Sequence, residues 1–427
     1  MIIVLFALLL QTTAAAADPA ISTAPLTLQE ALVLAEEFSP DLKAAQAREL
    51  QVENQISIGE SYLYPSLHGQ AGVGYAFLGG DNSLLGLEQL TVSPAGHVGP
   101  IGGFYSSLEV FNASTYRTIA LAKRNVEFAK ALLALTRYQV DLETARAYFE
   151  AARDLGGATA WREAGREMQK LLSEVQSLVR SGYQNPVDAL LVKDEVSEAQ
   201  IEQAADTARY RAALDKLGAL IGKNGDLFSC APASALAENS ADVFSSGVSP
   251  YLQIGLSQVK VAKATVLQKS AKNYPVVSAA GGVDTGLSGA GYVSPNRDYS
   301  FGVGIGLPLF EGYRVVEQTK QAKNLLSQRR FDLSGADVQI GEQNADYDKA
   351  IDAARIELSG LSPEYADDQT AVAMARKRYR DFQGPLVDVR EALRDLARVS
   401  VEQNDAAAEL LFSLAGKSLL NGGTVRR

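Results

Sequence analysis

Cysteine occurs once in this 427-residue chain, at Cys230, and histidine twice, at His68 and His97. A single thiol excludes an internal disulfide framework and a cysteine-based zinc cluster, and two histidines leave little for acid–base catalysis. The sequence has no H-E-x-x-H, G-x-S-x-G or G-x-x-x-x-G-K-[ST] motif, so the common zinc-hydrolase, serine-hydrolase and phosphate-loop chemistries lack a carrier. Positive charge is also scarce. Lys and Arg number 40 against 50 Asp and Glu, a net charge of −10, whereas a nucleic-acid partner calls for a basic stripe. No stretch approaches the roughly 18 consecutive apolar residues of a membrane-spanning helix. Hydrophobic residues nevertheless make up 47% and charged residues 21%, ordinary values for a folded chain. These absences point away from an enzyme and a nucleic-acid binder, and no cofactor or metal is expected.

What is present begins with an apolar run at residues 2–10, followed by residues 11–17, which end in small side chains. That is the pattern of a secretory signal peptide cut after about Ala17, although no Lys or Arg precedes the run. The chain then resembles itself. Ser39-Pro40-Asp41-Leu42 returns as Ser249-Pro250-Tyr251-Leu252, Tyr64-Pro65 as Tyr274-Pro275 and Gly72-Val73 as Gly282-Val283, each 210 residues later. Val110-Phe111 and Val187-Asp188 return as Leu309-Phe310 and Val387-Asp388, at offsets of 199 and 200. The change of offset falls between positions 73 and 110, in the Gly-rich segment 79–103, which reads as a loop. The expected organisation is a signal peptide (1–17), a first repeat (18–222) with a β-hairpin over about 67–111, a linker (223–247), and a second repeat (248–427) with a β-hairpin over about 276–310.

Each repeat opens with helix signals. Thr27-Leu28-Gln29-Glu30 is a capping box, and Ser39-Pro40 and Ser249-Pro250 place an N-cap before a proline. After each Tyr-Pro the period changes from 3.6 to 2. Leu67, Ala71, Val73, Tyr75 and Phe77 share one face with Gly69, and a second strand runs through Phe104, Ser106, Leu108 and Val110. Phe301, Val303, Ile305, Leu307 and Leu309 alternate with Ser300, Gly302, Gly304, Gly306 and Pro308. Such alternation marks a transmembrane β-strand, with Phe301, Val303, Ile305 and Leu307 toward lipid. Four strands cannot close a barrel, because unpaired backbone in lipid costs several kcal/mol per group and about eight strands are the fewest seen. Two, three or four chains must therefore share one.

The remainder is helical. Leu121, Phe128, Leu135, Leu142 and Phe149 form a strict heptad, as do Leu326, Leu333, Ile340, Tyr347, Ala354 and Leu361. A period of 3.5 predicts supercoiled helices of about 65 residues, near 97 Å long. Gly156-Gly157 and the stretch Gly360 to Pro363 read as kinks or short interruptions. The fold class expected is mainly α with a small β part: long coiled-coil hairpins plus four transmembrane strands per chain, in a two-fold internal repeat.

This order resembles the TolC-type outer-membrane efflux channel family from about Thr27 to Gly422. Its marks are the Tyr-Pro before each hairpin, Leu307-Pro308-Leu309-Phe310-Glu311-Gly312, and two helix–helix turns. The resemblance implies a trimeric α/β barrel in the outer membrane of a Gram-negative bacterium, reaching into the periplasm. It implies a passive exit duct for a tripartite efflux or type I secretion system, with a periplasmic adaptor and an inner-membrane pump as partners. It also places Gly182, Asp188, Tyr379 and Arg380 in the periplasmic turns and gate, and Asp388 and Glu391 at the pore constriction. Phe382 departs from the glycine usual in the second turn, and Gly384 from a basic residue that can tie the mouth shut; Arg380 or Arg390 could take its role.

Blander roles exist for the same residues. Asp188 can cap the helix that starts at Pro186, Asp388 can serve a helix dipole, and Glu391 can lie on a solvated face. The cluster Arg376, Lys377, Arg378 is either an adaptor-docking patch or a solvated surface. His97 is expected in a surface loop, His68 on a strand interior or interface, and Cys230 alone in the linker. The alternative function is a soluble periplasmic coiled-coil scaffold.

Overall fold

The computed structural model describes residues 25–76, 97–237, 247–286 and 296–423, and within them the chain runs twice through one order of elements. Helix α1 (Leu28–Phe38) leads into α2 (Pro40–Ser61), strands β1 (Ser66–Ala76) and β2 (His97–Asn112), then α3 (Ala113–Arg180) and α4 (Pro186–Ile221). A short α5 (Ala233–Ala237) follows. The order then repeats as α6 (Pro250–Ser270), β3 (Val276–Gly286), β4 (Asn296–Gly306), α7 (Arg314–Arg380) and α8 (Leu386–Leu420). The leader expected at 1–17 and the strand residue Phe77 lie outside the described residues.

The helix starts follow local chemistry. Thr27 and Glu30 form the capping box, each side chain bonded to the other's backbone N–H at 3.3 and 3.0 Å. Ser39 Oγ accepts from the Leu42 N–H at 3.3 Å, with Pro40 in the first turn. Asn112, the first residue of a glycosylation-like Asn-Ala-Ser, is the N-cap of α3, its Oδ1 accepting from the Ser114 N–H at 2.9 Å. Ser249 differs from Ser39: it precedes Pro250, but its hydroxyl is buried and caps nothing.

The four strands form one antiparallel sheet in the order β1-β2-β3-β4. Ser66 pairs with Ser107, Phe104 with Val283, and Ala279 with Val303. Two sequence expectations need correction. The segment expected as a loop over 79–103 is strand from His97 onward, so His97 pairs with Ala76 instead of sitting in a surface loop. Glycine and proline there mimic a loop signal, and pairing with β1 overrides it. At the other end β4 stops at Gly306, so Leu307 lies just past the strand; Pro308, with no N–H to offer a ladder, follows it. The register of β2 and β3 also shifts between Glu109 and Phe111, a bulge at Val110 that turns Phe111 toward Val277.

The two long helices are nearly equal in length and unequal in surroundings. Twenty-four residues of the 68-residue α3 are buried, but only six of the 67-residue α7. Helix α3 lies in the middle of the layer, against α2 and α6 at one end and α4 and α8 at the other. Helix α7 packs mainly on α6 and α8, and buries one stripe along the expected heptad. Neither expected break interrupts its helix, and Pro363 sits inside α7. Gly156 and Gly157 serve close approach instead. A Cβ at Gly156 would overlap the Asn404 side chain of α8, and one at Gly157 would lie 2.6 Å from the Asp206 carboxylate of α4. The 223–247 segment is more than a linker, because its described part carries α5 and buries Cys230 and Ala233 among Ala-rich helix faces. Asn404 ties it down, accepting from the Ser234 hydroxyl at 2.9 Å.

Asp141 of α3 is buried with one carboxylate oxygen lacking any hydrogen-bond partner, near the Glu36–Arg137 ion pair (3.2 Å) that joins α1 to α3. Desolvation first, then the Glu36 charge, raises its pKa to about 7, with Arg137 opposing. The folded state therefore holds this proton more tightly than the unfolded chain. The associated stability is full below the unfolded value near 3.8 and is lost as pH rises through about 7. Asp141→Asn is expected to raise the melting temperature at pH 8 and to leave it nearly unchanged at pH 4, as read by thermal denaturation in detergent.

Candidate functional site

Two regions concentrate residues with functional potential: the faces of the sheet, and the far tips of the helical hairpins. Register puts Leu67, Phe104, Leu108, Val277, Ala279, Val283, Tyr299, Phe301, Val303 and Ile305 on one face. Phe301 is 81% exposed and Ile305 74%. The opposite face carries Ser66, His68, Gln70, Tyr105, Ser107, Ser278 and Ser300. Its polar groups bond along the surface, with Gln70 Nε2 donating to the Tyr105 hydroxyl at 2.9 Å and the Ser66 and Ser107 hydroxyls 2.8 Å apart. A sheet apolar and exposed on one side and polar on the other has no core of its own. It requires an apolar medium against the first face and water against the second.

The hairpin tips are built alike. The Ser181, Gly182 and Tyr183 N–H groups donate to the carbonyls of Ser177, Val179 and Leu178, and Asp381, Phe382 and Gln383 repeat this with Lys377, Tyr379 and Arg378. Both turns need a left-handed residue, supplied by Gly182 (φ 77°) and by Phe382 (φ 54°). A phenylalanine there is strained by roughly 1–2 kcal/mol. Its ring packs on Tyr183 of the first turn, with centroids 5.8 Å apart, so the two tips touch. Beneath them Met168, Leu171, Val175, Val192, Val196, Leu386, Val389 and Leu393 form a four-helix core closed by Tyr379. The Tyr379 hydroxyl is buried without a partner. Its pKa is pushed up to about 12 by desolvation and by the Asp188 and Glu174 charges.

Two ionic clamps flank this core. Arg376 of α7, mostly buried, bridges Glu167 (2.7 Å) and Glu174 (3.0 Å) of α3. Glu195 of α4, its side chain 5% exposed, takes both Arg390 and Arg394 of α8, and Arg394 also reaches Glu198 at 3.0 Å. Sequence reasoning missed Glu167, Glu174, Glu195 and Arg394. The available signal was a charge set within the apolar series Val192, Val196, Ala199, which a search for pore and gate motifs passes over.

The residues singled out from sequence fall as follows. Asn185, not Asp188, caps α4, its Oδ1 accepting from the Val187 N–H at 3.0 Å; Asp188 is half-buried in the first turn. Asp388 occupies the first turn of α8, which its side chain favours through the helix dipole, and lies 3.9 Å from Arg378. Glu391 is exposed one turn on, in no ion pair among the described residues. Of the cationic cluster, Lys377 and Arg378 are exposed, whereas Arg376 is engaged within its own chain. Arg380 is exposed, and Arg390 is bound to Glu195, so the arginine closest to Asp388 is Arg378. Among the described residues no helix is long and apolar enough to cross a membrane, and no group of acidic, cysteine or histidine residues is arranged for a metal.

The family model for outer membrane efflux proteins matches residues 31–223 and 248–416. The chain belongs to the outer membrane efflux protein family. It is an outer-membrane channel protein that extends into the periplasm, and not an enzyme or a soluble scaffold. Comparison with curated protein sequences gives no match. The fold is that of solved outer-membrane channels. The outer membrane protein VceC of Vibrio cholerae superposes with a TM-score of 0.74 at 17% identity, covering 92% of this chain and 96% of that one. The CmeC outer membrane channel of Campylobacter jejuni gives 0.72 at 15% identity, over 92% and 85% of the two chains. The open-state MtrE outer membrane channel of Neisseria gonorrhoeae gives 0.71 at 18%, over 94% and 90%.

The two faces of the channel's sheet give a direct test of which one meets lipid. Val303→Arg is expected to destabilise membrane assembly by about 2–4 kcal/mol and to deplete the protein from the outer-membrane fraction, whereas Ser300→Arg on the polar face leaves it there. Equal tolerance of both would place the sheet outside the bilayer.

Proposed function

We propose that the channel is a homotrimeric exit duct, three chains sharing one twelve-stranded barrel, in a tripartite efflux or type I secretion system. A periplasmic adaptor and an inner-membrane pump are its partners. The supporting observation is the sheet's two free edges, β1 and β4, on a sheet too small to close alone. Exposed aromatics gather where strands meet helices, namely Tyr62, Tyr64, Phe111, Tyr116, Tyr274, Phe310 and Tyr313, in the manner of an interfacial girdle at the edge of the outer-membrane lipid.

The helices carry a matching pair of open flanks. Phe331, Val338, Ile356 and Met374 of α7 are exposed, spaced by nearly whole helical turns, and turned away from the heptad stripe that faces α8. On α4 the flank away from α3 exposes Leu190 and Ile201 and then the small residues Ala204, Ala208 and Ala212. Large side chains on one flank and small ones on the other fit a head-to-tail contact, which closes into a ring by rotation. In that ring Gly182, Asp188, Tyr379 and Arg380 belong to the periplasmic mouth. Asp388 and Glu391 of three chains supply six carboxylates at its constriction, a ring that favours cations. Lys377 and Arg378 remain as the exposed part of an adaptor-docking patch.

Detergent-purified protein in a planar bilayer is expected to give discrete, cation-selective conductance steps. Replacing Asp388 and Glu391 together by alanine is expected to shift the reversal potential in a KCl gradient toward zero. Unchanged selectivity would place these carboxylates off the pore.

A further inference from the structure

We infer that Glu195 is a positioning residue for the mouth, setting its ion selectivity from outside the pore by withdrawing two arginines from the acidic face of α8. This rests on the proposal that Asp388 and Glu391 face the pore. Arg390 and Arg394 are four residues apart and so share one face of α8. Asp388 and Glu391, three apart, share another, and Arg394 borders it, three residues on from Glu391 and about 60° from it. At about 100° per residue, Arg390 lies some 160° round the helix from Asp388 and 100° from Glu391. All four charges fall within two turns, and along the axis each arginine lies within about 5 Å of Glu391, inside the roughly 8 Å over which unpaired charges act on one another at physiological ionic strength.

The arginine face is turned to α4. Arg390 Nε donates to Glu195 Oε1 at 3.1 Å, and Arg394 Nη2 donates to Glu195 at 2.9 Å and to Glu198 at 3.0 Å. Glu195 is the most buried member of the group, and two guanidinium groups converge on its one carboxylate. Arg390 and Arg394 bond only to Glu195 and Glu198 among the described residues. This has two consequences. The rotation of α8 about its axis is fixed with the arginine face on α4, which leaves Asp388 on the far side and Glu391 on the flank. The two cations are also neutralised by Glu195 and Glu198, which leaves Arg378, 3.9 Å from Asp388, as the arginine beside the carboxylates. Without the Glu195 charge, the arginines have one exposed partner, Glu198, and stand as cations beside the carboxylates.

The test is the reversal potential of single channels in a KCl gradient for wild type, Glu195→Gln, Asp388→Ala with Glu391→Ala, and the triple variant Glu195→Gln, Arg390→Gln, Arg394→Gln. Glu195→Gln is expected to bring the cation-to-anion permeability ratio toward unity with conductance retained, and the triple variant to return it to the wild-type value. Wild-type selectivity in Glu195→Gln, alongside lost selectivity in the Asp388/Glu391 variant, overturns this inference and leaves the pore assignment standing. Unchanged selectivity in the Asp388/Glu391 variant overturns the pore assignment itself, and this inference with it. Should Glu195→Gln fail to assemble, the triple variant decides. A wild-type ratio supports the inference, and a ratio above wild type means the arginines already act on the pore and contradicts it.

Discussion

Backbone hydrogen bonding in an apolar medium is the constraint on which the rest of this molecule depends. Among the described residues the sheet has four strands, its interior ladders paired except at the Val110 bulge and the outer edges of β1 and β4 without a partner strand. In water such edges are tolerable. In hydrocarbon each unpaired group costs several kcal/mol, and the proposed trimer removes that cost by bringing the edge of one chain to that of the next. The two-faced side-chain pattern makes the same demand. The face bearing Phe301, Val303 and Ile305 is too exposed for water, and the face bearing Gln70, Tyr105 and Ser300 too polar for lipid.

The helices inherit this incompleteness. The helical layer has interior helices and flank helices, and α3 and α7 are one of each despite their nearly common length and matching place in the order of elements. This fits the glycines: in α3 another helix presses close at Gly156 and Gly157 and α4 lies in ordinary contact at Gly165, while α7 holds Gly335, Gly341 and Gly360 with open space around each. It also explains the placement of charge. At the tips, where two hairpins of one chain meet, carboxylates and arginines pair across the core in part-buried clamps, a geometry that specifies register more than it adds stability.

Much of this was legible in the sequence because the signals were periodic. The Tyr64-Pro65 and Tyr274-Pro275 signals placed the starts of β1 and β3 at about 67 and 276, where the strands begin at Ser66 and Val276. The 200-residue offset foretold two turns of identical hydrogen bonding, and the capping box at Thr27 formed as written. What escaped was not periodic. The start of β2 was hidden because glycine and proline signal loops locally while strand pairing is decided by a distant partner. Gly156-Gly157 looked like a break because the residues that need the space, Asn404 and Asp206, lie far along the chain. The assignment of arginines at the mouth escaped for the same reason. Arg376 and Arg390 are identical in type to Arg378 and Arg380, and only the positions of Glu167, Glu174 and Glu195 on other helices separate the half-buried, clamped pair from the exposed one.

The most direct test of the account is the number of chains in the detergent-solubilised assembly, measured by native mass spectrometry. Three chains per particle are expected, because three sheets of four strands close with no free edge. A folded, membrane-extracted monomer would mean that β1 and β4 are satisfied in some other way, and would contradict the closure on which the account rests.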